Sequence, residues 1–207
     1  MNIFFAGSKG KTGSIVFKYL KDKGYNIKEE INENEKQLHN VITPNSIVID
    51  FTNKEAAYNH ALICLENNSD FICGTTGLSN EQITFLKERA NNKQLQFVFC
   101  PNFSLGITKI LPLLNNLNEY YKSEIIESHH ITKKDLPSGT ALLLKEHLNE
   151  NTHIESIRTT YTSLDHKVIL NNDYEEITIT HSVKDKLAYA LGVENTLNSL
   201  LENKKYD

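Results

Sequence analysis

Over the first hundred positions, short apolar runs alternate with longer stretches whose apolar residues recur at helical spacing. Asn2-Ile3-Phe4-Phe5-Ala6 predicts a buried strand. A glycine turn, Gly7 to Gly13, follows it, and Ile15, Val16, Tyr19 and Leu20 then mark one face of a helix over 14–23. Tyr25 to Ile31 predict a second strand ending in Glu29 and Glu30, and residues 32–40 read as a short polar connector. Ser46 to Phe51 predict a third strand, Asp70 to Cys73 a fourth and Gln96 to Cys100 a fifth. Helices are expected over 54–67 and from Ser79 to about Asn91, where Ser79 is placed to cap and Gln82 to complete a capping box. Strands and helices in strict alternation imply a parallel sheet with right-handed crossovers.

The pattern changes after Ser104. A long helix (105–121) leads to a strand over 123–128, a histidine-rich segment and a helix over 141–148. Residues 154–162, 167–170 and 175–182 read as strands of an antiparallel sheet, and 187–203 as a final amphipathic helix. The fold class is therefore α/β, with a parallel-sheet first half and a second half built differently.

A chain of 207 residues can bury one sizeable core or two small ones. A net charge of -4 gives no general attraction to nucleic acid or to an anionic membrane, so neither is an expected partner. No apolar run approaches the ~20 residues of a membrane span. The first strand is too short for a signal peptide and has no basic segment before it. Cys64, Cys73 and Cys100 lie in apolar surroundings and read as buried thiols of a cytoplasmic protein.

Gly7-Ser8-Lys9-Gly10-Lys11-Thr12-Gly13 stands at the first strand-to-helix turn. Glycines there permit a tight turn and close approach of a diphosphate, which the helix start then stabilises. The spacing is G-x-x-G-x-x-G, a departure from the G-x-G-x-x-G fingerprint, and no P-loop G-K-[ST] follows. Placed where it is, the turn favours a dinucleotide over a plain loop. Lys9 and Lys11 either pair with a phosphate or stand in solvent. Glu29 or Glu30, about 22 residues beyond Gly7, is placed to accept from ribose hydroxyls. The acid tilts toward NAD and the lysines toward NADP. Gly74-Thr75-Thr76-Gly77 and Pro101-Asn102-Phe103 end two strands on the same sheet edge and complete a coenzyme rim, with Asn102 suited to a carboxamide.

Residues 127–140 gather His129, His130, Lys133 and a Pro137-Ser138-Gly139-Thr140 turn. Lys133 supplies a cation for a carboxylate, and Ser138, Gly139 and Thr140 bring N–H groups to a helix start. An imidazole among cations can protonate the carbanion or enamine that hydride addition forms. No metal is expected, because adjacent histidines point apart and no further Cys or His lies at ligand spacing. Cys100 reads as a buried small residue rather than a nucleophile.

The residues resemble one family, the bacterial 4-hydroxy-tetrahydrodipicolinate reductases. The resemblance runs through Ala6-Gly7 to Gly13, Val48-Ile49-Asp50-Phe51-Thr52, Asn59-His60, Gly74-Thr75-Thr76-Gly77 and Asn102-Phe103-Ser104-Leu105-Gly106. It is strongest at Glu124 to His130, Lys133, Asp135 and Pro137-Ser138-Gly139-Thr140-Ala141, and resumes from His166 through His181 to Gly192. It implies a Rossmann-like coenzyme domain over 1–103, completed by the C-terminal helix (187–207). A smaller α+β substrate domain with a mainly antiparallel sheet would occupy 104–186. By the same resemblance His129 is the proton donor and Lys133 binds substrate and assists turnover. His130, Lys133, Ser138, Gly139 and Thr140 would hold the carboxylates of a small dicarboxylate. NADH or NADPH would sit against Gly7, Gly10, Lys11, Thr12, Gly13, Glu29, Gly74, Thr75, Thr76, Asn102 and Phe103.

The chain departs from the family in length. Little separates its second and third strands, and most of the β segment before His166 is missing, although these parts build much of the family's tetramer. Lys186 and Asn53 stand where the family has arginines. Two other readings are a non-catalytic NAD(P)-binding homologue and a reductase of another small dicarboxylate.

Overall fold

The continuous apolar runs of the first half become the strands of one parallel sheet, because burial on both faces leaves no polar alternation. A computed structural model describes residues 1–31, 35–160 and 164–203, without the side chains of Glu29, Glu35, Leu164 and Asn203. Strands β1 (Ile3–Ala6), β2 (Ile27–Ile31), β3 (Ile47–Asp50), β4 (Asp70–Cys73) and β5 (Phe97–Phe99) lie in the order β2-β1-β3-β4-β5, all parallel. Every side chain of β1, β3 and β4 is buried.

Alternate residues of these strands feed two separate cores, as the two-residue period requires. Phe4, Ala6, Val48, Phe71 and Cys73 pack with α3 (Lys54–Glu66) and α4 (Asn80–Asn92) through Ala57, Ala61, Leu65 and Leu86. Ile3, Phe5, Ile47, Ile49 and Ile72 pack with α1 (Gly13–Asp22) and α7 (Leu187–Asn203) through Val16, Leu20, Val193 and Leu197. On α7, Glu194 accepts from Tyr19 Oη at 2.6 Å and Asn198 Oδ1 from Tyr25 Oη at 2.6 Å. Asn53 caps α3, its Oδ1 accepting from the Glu55 and Ala56 N–H groups. The capping box expected at Ser79 and Gln82 is present.

The supposed polar connector after β2 contains a helix, α2 (Glu35–Val41). Leu38 and Val41 on its apolar face, with Ile42 just beyond its end, are all in or against the first core. Three residues at 3-4 spacing are too few to stand out among polar neighbours, yet Leu38 is completely buried.

Residues 104–188 form a second compact unit, while 1–103 and 189–207 make up the first. Its sheet runs β7 (His153–Thr159), β6 (Lys122–His130), β8 (Leu164–Asn171), β9 (Glu176–Ser182). The β6–β8 and β8–β9 pairs are antiparallel, but β7 pairs parallel to β6, correcting the expectation that it would be antiparallel. The reason is local: α6 (Gly139–Glu146) lies between β6 and β7 in sequence, and such a crossover returns the chain in the same direction. Ile125, Val168 and Leu170 of the sheet pack with Ile107 and Leu114 of α5 (Leu105–Leu117) and with Ala141 and Leu144 of α6.

Candidate active site

In the first unit the chain order reverses around β1, flanked by β2 and β3, and such switch points hold ligands beyond the carboxyl ends of the strands. The glycine turn stands there. Gly7 has φ +85°, and a Cβ on it would lie 2.4 Å from the Phe51 carbonyl oxygen. A Cβ on Gly13 would lie 2.1 Å from the Gly7 carbonyl oxygen. Only glycine fits at either place, so the turn folds tightly onto itself and onto the loop after β3. Thr12 is the N-cap of α1 and its hydroxyl makes no capping bond, which leaves the first-turn N–H donors without that partner. A coil this close to a helix start fits a diphosphate. Gly10 and Lys11 are exposed on the turn. Ser8 Oγ donates to Glu30 Oε2 at 2.7 Å, which turns Glu30 toward the glycine turn. The Glu29 side chain lies outside the described residues.

The rim after β3 and β4 is organised by a carboxylate. Asp50 Oδ1 accepts from Thr52 N at 2.9 Å, Thr52 Oγ1 at 2.7 Å and Thr75 Oγ1 at 3.0 Å. Its Oδ2 lies 2.7 Å from His60 Nδ1, and both side chains are completely buried. Thr76 is exposed, Gly74 half-buried and Asn102 buried. Phe103 belongs to the core, its ring 6.2 Å from that of Phe51. Burial pushes the Cys73 and Cys100 thiols up, so neither is a thiolate at neutral pH.

In the second unit a polar row crosses the sheet. Register places Ser156 of β7 beside Glu127 of β6, Glu127 opposite His166 of β8, and His166 opposite His181 of β9. The neighbouring row is apolar: Ile154, Ile125, Val168 and Ile179. Alternation along β6 puts Ile125, Glu127 and His129 on its buried side. Glu127 Oε2 meets His129 Nδ1 in a short hydrogen bond. Its Oε1 accepts from Arg158 Nη1 at 3.0 Å and from the Ser138 N–H at 3.3 Å. Ser138 is the N-cap of α6: its Oγ accepts from Ala141 N at 3.2 Å and lies 3.2 Å from His166 Nε2. The His129 and His166 rings meet edge to face, centroids 5.1 Å apart.

Burial raises the Glu127 carboxyl, but Arg158, His129 and the Ser156 hydroxyl outweigh it and hold the group below the usual carboxylate range. The Ser156 hydroxyl favours the anion from outside hydrogen-bond geometry. Burial lowers His129, Glu127 opposes that, and the Lys133 and Arg158 cations lower it further. Burial and the neighbouring His129 push His166 down to about 4.

Glu127, His129 and His166 offer ligand atoms within 4.8 Å of one another, a grouping invisible to sequence spacing because His166 arrives by strand pairing. Arg158 already neutralises the carboxylate, so the arrangement is that of a hydrogen-bonded row.

Residues 1–103 match the family model for the dihydrodipicolinate reductase N-terminus, and residues 106–206 the model for its C-terminus. The chain belongs to the dihydrodipicolinate reductase family. It is 32% identical over 213 residues to the 4-hydroxy-tetrahydrodipicolinate reductase of Thermosipho africanus, spanning 99% of this chain and 93% of that one. The match to the enzyme of Blochmanniella floridana is 42% over 109 residues, 51% of this chain and 39% of that one. A dipicolinate-bound dihydrodipicolinate reductase from Paenisporosarcina sp. TG-14 has the same fold, with a TM-score of 0.75 at 21% identity over 98% of this chain and 95% of that one. A myo-inositol dehydrogenase-like protein of Sinorhizobium meliloti shares the fold more distantly, with a TM-score of 0.65 at 9% identity over 98% of this chain and 90% of that one. Family membership makes the chain an oxidoreductase that takes its electrons from NADH or NADPH. The Thermosipho chain is of nearly equal length, so the small size is shared with another member of the family. Among the described residues no helix is long and apolar enough to cross a membrane.

Of the residues singled out for substrate and catalysis, the structure gathers His129 and Ser138 around Glu127. Lys133 pairs with Asp135 at 2.9 Å, and Asp135 is tied in turn by Arg158 Nη2 to its carbonyl at 2.5 Å. His130, one position beyond His129 on the alternating strand, has its Nδ1 2.9 Å from Thr132 Oγ1. Gly139 and Thr140 open α6 beside Ser138. Sequence reasoning missed Glu127, Arg158 and His166. Glu127 had one signal, the Glu-x-His alternation across the end of a predicted strand, and His166 only its place in the resemblance; both become legible only with the register known.

Proposed function

We propose that the protein reduces 4-hydroxy-tetrahydrodipicolinate to tetrahydrodipicolinate, the step its relatives are named for, within diaminopimelate and lysine synthesis. Hydride and a proton enter, water leaves, and the coenzyme is oxidised, so atoms and charge balance. NADH or NADPH, when bound, supplies the hydride. Gly7, Gly10, Lys11, Thr12 and Gly13 hold the diphosphate, Glu29 or Glu30 the ribose, and Gly74, Thr75, Thr76, Asn102 and Phe103 line the nicotinamide end.

In the second unit Lys133, His130 and the α6 start at Ser138, Gly139 and Thr140 receive the carboxylates. The Ser138 N–H is already given to Glu127, so its contribution is through position at the cap. His129 delivers the proton. The observation that carries this reading is the buried His129 held through Nδ1 by an anion, one cap away from a helix start. Burial and the Lys133 and Arg158 cations lower its pKa and favour the neutral ring in the free protein, and a dianionic substrate beside it favours the cationic acid. Three cysteines without disulfides support a cytoplasmic location.

The test is substrate-dependent oxidation of NADH and NADPH by purified protein, with the substrate generated in situ. Turnover that needs both components is expected. Coenzyme binding without turnover, using verified substrate, would overturn the proposal. Lys133→Ala should raise KM for the substrate and lower kcat together.

A further inference from the structure

The proposed chemistry leaves Glu127 without a task, although it is the most connected side chain of the second unit's polar row. It is fully buried, and its two oxygens do different things. Oε2 holds His129 Nδ1, the proposed proton donor. Oε1 takes Arg158 Nη1 at 3.0 Å and the backbone N–H of Ser138 at 3.3 Å, at the helix cap where the substrate carboxylates are placed. Arg158 extends the same network to the Asp135 carbonyl, and Asp135 carries Lys133. A single carboxylate thus touches the proton donor directly and the anion cradle at one remove.

A bidentate guanidinium would occupy both oxygens of a buried carboxylate. Here the guanidinium uses only one oxygen, and the other is reserved for an imidazole. An anion on Nδ1 keeps a proton there in both charge states of the ring, so the proton that comes and goes is on Nε2. The charged and titratable groups facing His129 come from every strand around it: Glu127 on β6, Arg158 on β7, His166 on β8, and Lys133 in the turn after β6. His181 and Asp165 act on His166, whose ring meets that of His129.

We propose that Glu127 is a positioning residue for the reduction, fixing His129 Nε2 as the proton-delivering atom and holding the Ser138 cap in register with it. This rests on the reading of His129 as the proton donor. Arg158 is its counterweight, neutralising the carboxylate while leaving the oxygen that faces His129 in place.

Two variants test this, because they push in opposite directions. An acid must be protonated to act, so kcat/KM falls as pH rises through its pKa. Glu127→Gln keeps the shape but removes the anion that supports the His129 cation. Turnover should fall at least about tenfold, a part of the 10²–10⁴ that general acid catalysis supplies, and the falling limb of kcat/KM should move to lower pH. Arg158→Gln removes a cation near His129, so the same limb should move to higher pH. Binding of pyridine-2,6-dicarboxylate should weaken by less than turnover falls, and NADH binding should be unchanged in both. Limbs that stay in place, or that move the same way in both variants, would overturn the inference. So would loss of analogue binding in proportion to turnover, the signature of a role in folding alone. His129→Ala separates the two levels: full activity in that variant would remove the proton-donor reading itself, whereas an inactive His129→Ala beside an unaltered Glu127→Gln would remove only the role of Glu127.

Discussion

Each unit of the molecule buries a carboxylate against a histidine, and the two pairs are built to opposite ends. In the first unit Asp50 and His60 are both sealed from solvent, and the remaining acceptor capacity of Asp50 is filled by Thr52 and Thr75. No lysine or arginine is bonded to it among the described residues. In the second unit Glu127 and His129 are also buried, but a guanidinium shares the carboxylate, Lys133 acts on the imidazole, and His129 keeps a small exposed surface at 5%. The first pair ties two loops to a sheet edge. The second is surrounded by charges that make its protonation responsive. The same two functional groups are enclosed by hydroxyls in one unit and by cations in the other; the first arrangement suits a fastener and the second the proposed proton donor.

The contrast can be broken by experiment, starting with the largest effect. His129→Ala should lower kcat by roughly 10²–10⁴-fold with little change in coenzyme affinity, measured by steady-state kinetics and NADH titration. Asp50→Ala should act on stability, costing on the order of 3 kcal/mol in chemical denaturation, because it leaves the buried His60 and Thr75 groups without their acceptor. If it instead lowered kcat at unchanged stability, the fastener description would fail.

A third test uses pH. His166 has a folded pKa of about 4 against 6.5 for a free imidazole, so the folded chain binds fewer protons than the unfolded one between those values. Stability present above pH 6.5 is lost as pH falls through that window, by roughly 3 kcal/mol. His166→Gln should flatten this part of the stability profile, leaving the first unit's pair untouched. The smallest effect lies away from both pairs. Ser79→Ala, which removes the α4 cap, should cost about 1 kcal/mol and leave turnover unchanged.

Much of this architecture is legible in the sequence wherever one residue's neighbours in the chain decide its environment. Strands β1, β3 and β4 are buried on both faces and read as unbroken apolar runs. The capping box at Ser79 is complete within four residues. The helix α2 escaped because its burial depends on three residues meeting a core built from elsewhere. The direction of β7 needed recognition that α6 acts as a crossover. The polar row is the clearest limit: Ser156, Glu127, His166 and His181 are scattered over 55 positions and meet only through three strand registers. His129 and Lys133 were visible from their local company, whereas Glu127 looked like an ordinary strand residue. The residues proposed to carry the chemistry stand out in the sequence, and the residue proposed to aim them does not.

The place of α7 has a consequence for how the chain comes to be folded. One whole face of the first sheet, made by Ile3, Phe5, Ile47, Ile49 and Ile72, is covered in part by Ala190, Val193, Leu197 and Leu200. A chain leaving the ribosome from its N-terminus exposes the part of that face not covered by α1 while residues 104–188 are made. The second unit is continuous and has all its own partners before the first has its last helix. The part synthesised first is therefore the part completed last, and its open apolar face is the surface a chaperone or an aggregating neighbour meets during synthesis.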